Sequence, residues 1–210
     1  MEELGRRNHC RCAQTPTPPP GFSLVYFDLW QKLTCPSSGK VGDSTGHVSV
    51  ELARTYPALK CVVQDLPALE AGFDAVVPDH LKSRVTFRGH DFFHPQPFRD
   101  ADVYLFRHIL HDWPDKYAVQ ILRNTVPAMK RGARVVVVDL VQPPPASTPV
   151  WKERLGTALD LQMMGALNSK ERTREDWTEL FRRADSRLSV TGFVTPPGAA
   201  LAVIEVAFTA

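Results

Sequence analysis

At 210 residues, with 43% hydrophobic and 23% charged side chains, the chain can bury a sizeable core, which excludes disorder throughout and any dependence on disulfides or a structural metal. Lys plus Arg at 25 against Asp plus Glu at 23 leaves +2, too small and too evenly spread to specify a nucleic acid or a membrane, so a small-molecule ligand is expected. No run approaches the roughly 20 apolar residues of a membrane span, and Met1–Cys12 is charged where a signal peptide would be apolar, so the expected compartment is the cytoplasm.

Residues 1–20, ending in Thr15-Pro16-Thr17-Pro18-Pro19-Pro20, have no period and read as an irregular leader, with one folded domain over 21–210. Cys10, Cys12, Cys35 and Cys61 lack CxxC spacing; Cys61 sits in an apolar run, and no metal is assigned. Structure is expected to start near Phe22, and beyond it apolar runs of strand length alternate with amphipathic segments, the pattern of a sheet covered by helices on both faces.

In chain order the expected elements are a helix over His47–Tyr56, a strand over Leu59–Gln64, a helix over Leu66–Val77 and strands over Arg84–Arg88 and Asp102–Phe106. A helix over Asp115–Met129 and a strand over Ala133–Val141 follow. Helices over Lys152–Leu167 and Arg174–Ala184 then lead to strands over Leu188–Gly192 and Leu201–Phe208. Val135 to Val138 is apolar at every position, as in a parallel strand buried on both faces. Thr195-Pro196-Pro197-Gly198 is too short for a helical crossover, so the last strand is antiparallel to its neighbour. The expected fold is therefore α/β and Rossmann-like, mostly parallel with an antiparallel C-terminal hairpin.

Val41-Gly42-Asp43-Ser44-Thr45-Gly46 before a helix has the look of a glycine-rich cofactor loop, and Asp65, 23 residues beyond Gly42, stands where doubly wound domains grip a ribose. An ordinary βα turn followed by a capping Asp is the alternative. Asp91, with Phe92 and Phe93 beside it, also ends a strand and could accept from an exocyclic amine while an aromatic ring covers a purine; equally, the two rings could be core. Arg107, His108, His111 and Asp112 cluster after a further strand, and a histidine at that edge suits proton abstraction at neutral pH, or else caps the next helix.

From Gly42 to Ala210 the sequence resembles the S-adenosylmethionine-dependent O-methyltransferases of the caffeic-acid and fungal polyketide type. The strings that carry the likeness are Thr45-Gly46-His47-Val48-Ser49, Val63-Gln64-Asp65-Leu66-Pro67, Gly89-His90-Asp91-Phe92-Phe93, Arg107-His108-Ile109-Leu110-His111-Asp112-Trp113 and Ser169-Lys170-Glu171-Arg172-Thr173. The resemblance implies S-adenosyl-L-methionine as cofactor, a small aromatic or polyketide-like secondary metabolite as acceptor, and His111 as general base. It also implies Asp139 and Glu171, 28 and 60 residues after His111, as the flanking acids. By the same resemblance Gly42, Gly46, Asp65, Asp91, Phe92 and Arg107 hold the cofactor.

Two departures accompany the likeness. The large N-terminal helical region that builds the family dimer has no counterpart of its size here; Phe22–Leu33 resembles only its last residues. In the cofactor loop, if no gap is allowed, Lys40 stands for the family's acid and Asp43 for a glycine; if a few residues are deleted instead, Lys40-Val41 is a strand stump joined straight to the loop. Either way Thr34-Cys35-Pro36-Ser37-Ser38-Gly39 has a turn's composition where the first, central strand should be, so that strand is expected to be degraded. The competing readings are a homologue without catalysis and an enzyme that keeps the cofactor while catalysing a rearrangement.

Overall fold

Despite its turn-like composition, Ser37–Val41 is a strand, β1, and it occupies the centre of the sheet between β2 (Lys60–Asp65) and β4 (Val103–Arg107). The computed structural model describes residues 37–42 and 45–209, Lys40 by its backbone alone; the leader, Phe22–Leu33 and Asp43 lie outside the described residues. Two parallel neighbours supply β1 with a complete ladder, which overrides local propensity. Crowding accounts for the small residues: a Cβ on Gly39 would lie 2.9 Å from the Phe98 ring. The strand is anchored at its start by Asp102, whose Oδ2 accepts from both the amide (2.8 Å) and the hydroxyl (3.0 Å) of Ser37.

The sheet has seven strands in the order β3-β2-β1-β4-β5-β9-β8, with β3 at Val85–Gly89, β5 at Arg134–Asp139, β8 at Leu188–Val194 and β9 at Ala202–Phe208. The first five positions are parallel, and β9 runs antiparallel to both β5 and β8, as the short Pro-Pro-Gly connection requires. Alternating side chains on β4 and β5 feed two cores. Tyr104, Phe106, Val135 and Val137 face one, beneath α3 (Asp115–Thr125) and α5 (Arg174–Ala184). Val103, Leu105, Val136 and Val138 face the other, with α1 (His47–Thr55) and α2 (Glu70–Val76).

Proline and tertiary pairing trim several expected elements. The helix expected over Leu66–Val77 opens with a 3₁₀ turn at Pro67–Leu69, and the one expected to reach Met129 gives way at Val126–Ala128, where Pro127 removes a donor. The long strand expected over Ala133–Val141 breaks at Leu140. Beyond the break, β6 (Val141–Gln142) leaves the main sheet to pair in parallel with β7 (Arg172–Thr173).

Helix α4 (Val150–Leu167) buries only Gly156 and Met163, while Trp151, Leu155, Leu161 and Met164 are exposed, Trp151 by 69%. An apolar face of this kind associates in water. Light scattering is expected to report a mass above the monomer, or a hydrophobic dye to bind; a clean monomer with no dye uptake would show that another segment of the chain covers α4. Among the described residues, no helix is long and apolar enough to cross a membrane.

Candidate active site

The order of the strands makes a crevice before any side chain is considered. From β1 the chain passes through α1 to β2 on one side, while β4 lies on the other, so the carboxyl ends of β1 and β4 flank the point where the direction of winding reverses. Val41 pairs with both Gln64 and Phe106, and Arg107 with Val138. One edge therefore carries Gly42, Asp65, Asp91, Arg107, His108 and Asp139.

Gly42 (φ 70°) and Gly46 (φ 82°, the N-cap of α1) occupy the left-handed region that favours glycine. At Gly42 crowding adds to conformation, since a Cβ there would fall 2.3 Å from Cδ1 of Ile109. Asp65 accepts from the Leu66 amide (2.8 Å) and Asp91 from the Phe93 amide (2.9 Å), so backbone donors orient both carboxylates at their strand ends. Phe92 is half-buried, edge-on to Phe93 and Trp113, which makes it a wall built on the core more than a free platform. Arg107 is half-buried at the end of β4.

His111 sits in a 3₁₀ turn, Leu110–Asp112, immediately before α3. It is buried, and its Nδ1 lies 3.0 Å from Oε1 of Glu171; a carboxylate only accepts, so Nδ1 carries the hydrogen and Nε2 is left with its lone pair. Nε2 lies 3.3 Å from Asp112 Oδ1 and 3.9 Å from Asp139 Oδ1. Burial opposes protonation of this imidazole, but the hydrogen bond to Glu171 and the charges of Asp139, Glu171 and Asp112 outweigh it and raise its pKa. Asp139 is wholly buried, and desolvation pushes its pKa up to about 7 against the opposing influence of His111. All three candidates at this centre thus meet, across 60 residues of chain.

Local structure explains how they are held. The β6–β7 ladder pairs Val141 with Arg172, which carries Glu171 back beside the end of β5. The Glu171 amide is fixed by Asp160 Oδ1 (2.8 Å) on α4, and Ser169 Oγ donates to the His111 carbonyl (2.6 Å).

Arg172 was not among the sequence candidates, yet it is fully buried and donates to the carbonyls of Leu110 (2.7 Å) and Trp113 (2.8 Å) and to Asp115 (2.9 Å), with Trp177 beneath its guanidinium. It clamps both ends of the turn that bears His111. Its signal was a basic residue adjoining Glu171; the buried partners that give it a role lie 57 to 62 residues away. His108 is likewise brought in, in the left-handed region (φ 53°), with its amide donating to Asp139 Oδ1 (3.1 Å).

The raised pKa of Asp139 has a sign that can be worked out. Between its unfolded value near 3.9 and its folded value of about 7 the native state binds more protons than the unfolded one, so this group's contribution to stability falls as pH rises through that window and is flat above it. Asp139→Asn keeps an acceptor for the His108 amide and cannot ionise. Its melting temperature is expected to exceed that of the unsubstituted protein at pH 8, the gap closing toward pH 4; a gap independent of pH would assign the effect to packing.

The O-methyltransferase domain family matches residues 27–186, and the chain belongs to that family. It is 47% identical over 175 residues to the O-methyltransferase aoiF of Aspergillus oryzae, covering 81% of this chain and 41% of that protein. It is 44% identical over 178 residues to the grayanic acid biosynthesis cluster O-methyltransferase of Cladonia grayi, covering 84% and 39%. Among solved structures, LepI in complex with SAM superposes with a TM-score of 0.72 at 32% identity, covering 82% of this chain and 42% of that one. TnmH superposes with a TM-score of 0.75 at 26% identity, covering 88% and 54%. The chain spans about two fifths of the length of these two curated relatives.

Proposed function

We propose that the protein transfers a methyl group from S-adenosyl-L-methionine to a hydroxyl of a small aromatic or polyketide-like secondary metabolite, with His111 as general base. What carries this reading is the hydrogen-bonded His111–Glu171 pair, beside Asp139, at the strand edge that also bears Gly42 and Asp65. The curated relatives are fungal O-methyltransferases, one from a biosynthetic cluster, and a solved neighbour holds SAM.

The residues fit that cofactor chemically. Gly42 and Gly46 leave a backbone without Cβ atoms at the head of α1, Asp65 presents a carboxylate for ribose hydroxyls, and Asp91 with Phe92 offers an acceptor and an aromatic edge for adenine. Arg107 would stand on the same side. When bound, the cofactor supplies a methyl group on a sulfonium.

A phenol, with a pKa of about 10, is protonated at neutral pH and attacks carbon poorly. His111 Nε2 would take that proton and leave the acceptor oxygen as the nucleophile for the methyl group that the cofactor would supply. Glu171 holds the ring by Nδ1 and, with Asp139, balances the imidazolium that results.

Calorimetric titration of the full chain with S-adenosylhomocysteine tests the first requirement. Saturable heat is expected; its absence would replace this reading with a family member that has lost catalysis. A rearrangement enzyme is the second reading, favoured by the 32% identity to a structure described as a pericyclic reaction enzyme. Mass spectrometry separates the two, because methyl transfer adds a methylene's mass to the acceptor and releases S-adenosylhomocysteine, whereas a rearrangement does neither.

A further inference from the structure

We propose that His108, His111 and Asp139 form a binding site for a divalent transition metal, zinc above all, and that metal bound there stops the reaction by occupying the lone pair of His111. One ligand atom from each of the three lies within 4.8 Å of the other two. Asp139 Oδ1 is 3.9 Å from His111 Nε2 and 3.8 Å from His108 Nδ1. A tetrahedral zinc with bonds of about 2.0–2.1 Å separates its ligand atoms by about 3.3 Å, so these two edges are within a small side-chain adjustment of a coordination shell. The third edge, between the imidazoles, lies within the same 4.8 Å.

Independent observations point the same way. Asp139 is fully buried, and its Oδ2 has no hydrogen-bond partner among the described residues, an unmet valence in a place where one is costly. Glu171 already holds the far nitrogen of His111 in the way that carboxylates orient metal-bound imidazoles. Asp112 Oδ1 lies 3.3 Å from His111 Nε2 but outside the set of ligand atoms mutually within 4.8 Å, which leaves the fourth position to water. Two neutral imidazoles and one carboxylate are the donor set of zinc more than of magnesium or calcium.

Metal binding follows from this geometry whatever the reaction; inhibition rests on His111 being the base, and the two are measured apart. Calorimetry uses Zn²⁺ alone on the chelator-treated 210-residue chain, with Cys10→Ser and Cys12→Ser to remove those two thiols. One equivalent is expected to bind, and His108→Asn and Asp139→Asn each to weaken it at least tenfold. Asn suits the left-handed backbone at 108 and ligates zinc poorly, so His108→Asn is expected to fold, and its response to zinc is read against its own metal-free rate. In transfer assays zinc is expected to suppress turnover reversibly, with His108→Asn needing at least tenfold more. No saturable heat, or undiminished binding by His108→Asn, overturns the site. Full turnover by the zinc-loaded protein overturns the inhibition. If no methyl transfer occurs without metal, calorimetry still decides the site, and it is the proposed reaction that has failed.

Discussion

His111→Ala is expected to lower methyl transfer by about two to four orders of magnitude while leaving S-adenosylhomocysteine affinity within about twofold, the range that general bases contribute. The separation follows from position. His111 lies on the turn after β4, tied to Glu171 and Asp139, and not on the Gly42 and Asp65 side of the crevice. Loss of affinity together with turnover would make the residue structural, a support for the turn that Arg172 clamps.

The pH profile carries the same assignment further. A protonated imidazole cannot accept a proton, so the rate falls as pH drops below the folded pKa of His111. That pKa is raised, so the break in the profile belongs above the ordinary histidine value of about 6.5. Glu171→Gln removes the charge that helps raise it and leaves a neutral, weaker acceptor for Nδ1, and should move the break to lower pH. A profile flat from pH 5 to 8, or a break that Glu171→Gln leaves in place, would count against His111 as the base.

Legibility in the sequence differed between parts of the molecule for physical reasons. Strands β4 and β5 could be read because burial on both faces demands unbroken apolar runs, and Val135–Val138 satisfies that demand. Strand β1 could not, because its residues are selected by neighbours distant in sequence. Gly39 is small to admit Phe98, and Ser37 is held by Asp102, 65 residues away. At the candidate site His111, Asp139 and Glu171 were reached through motif resemblance and spacing, which records a fold without showing it. What brings Glu171 to the imidazole is the β6–β7 ladder, two residues on each strand, below the length at which periodicity carries any signal. Arg172 was passed over for the same reason, and His108 was noted only as a member of the Arg107–Asp112 cluster, since a buried clamp and an approach of two rings are properties of packing.

Gly42→Ala is expected to weaken S-adenosylhomocysteine binding by at least tenfold, which takes only about 1.4 kcal/mol, and to slow transfer beyond that loss. Two costs act together. At φ 70° an L-residue carries a penalty of about 1–2 kcal/mol, and the new Cβ would lie 2.3 Å from Ile109 Cδ1 and 2.9 Å from its Cγ1. Ile109 cannot give way without consequence. It precedes the turn Leu110–Asp112, so displacing it moves His111 against Glu171, and a small misplacement of a base costs rate out of proportion to its size. Adding Ile109→Ala removes the contact but not the backbone strain. The double variant should therefore recover transfer more than affinity, with a coupling of about 0.5–3 kcal/mol between the two positions. Full additivity would mean that Gly42 is needed for its backbone conformation alone. Unchanged affinity in Gly42→Ala itself would mean that the loop does not touch the cofactor, and the crevice between β1 and β4 would then have to be assigned another ligand.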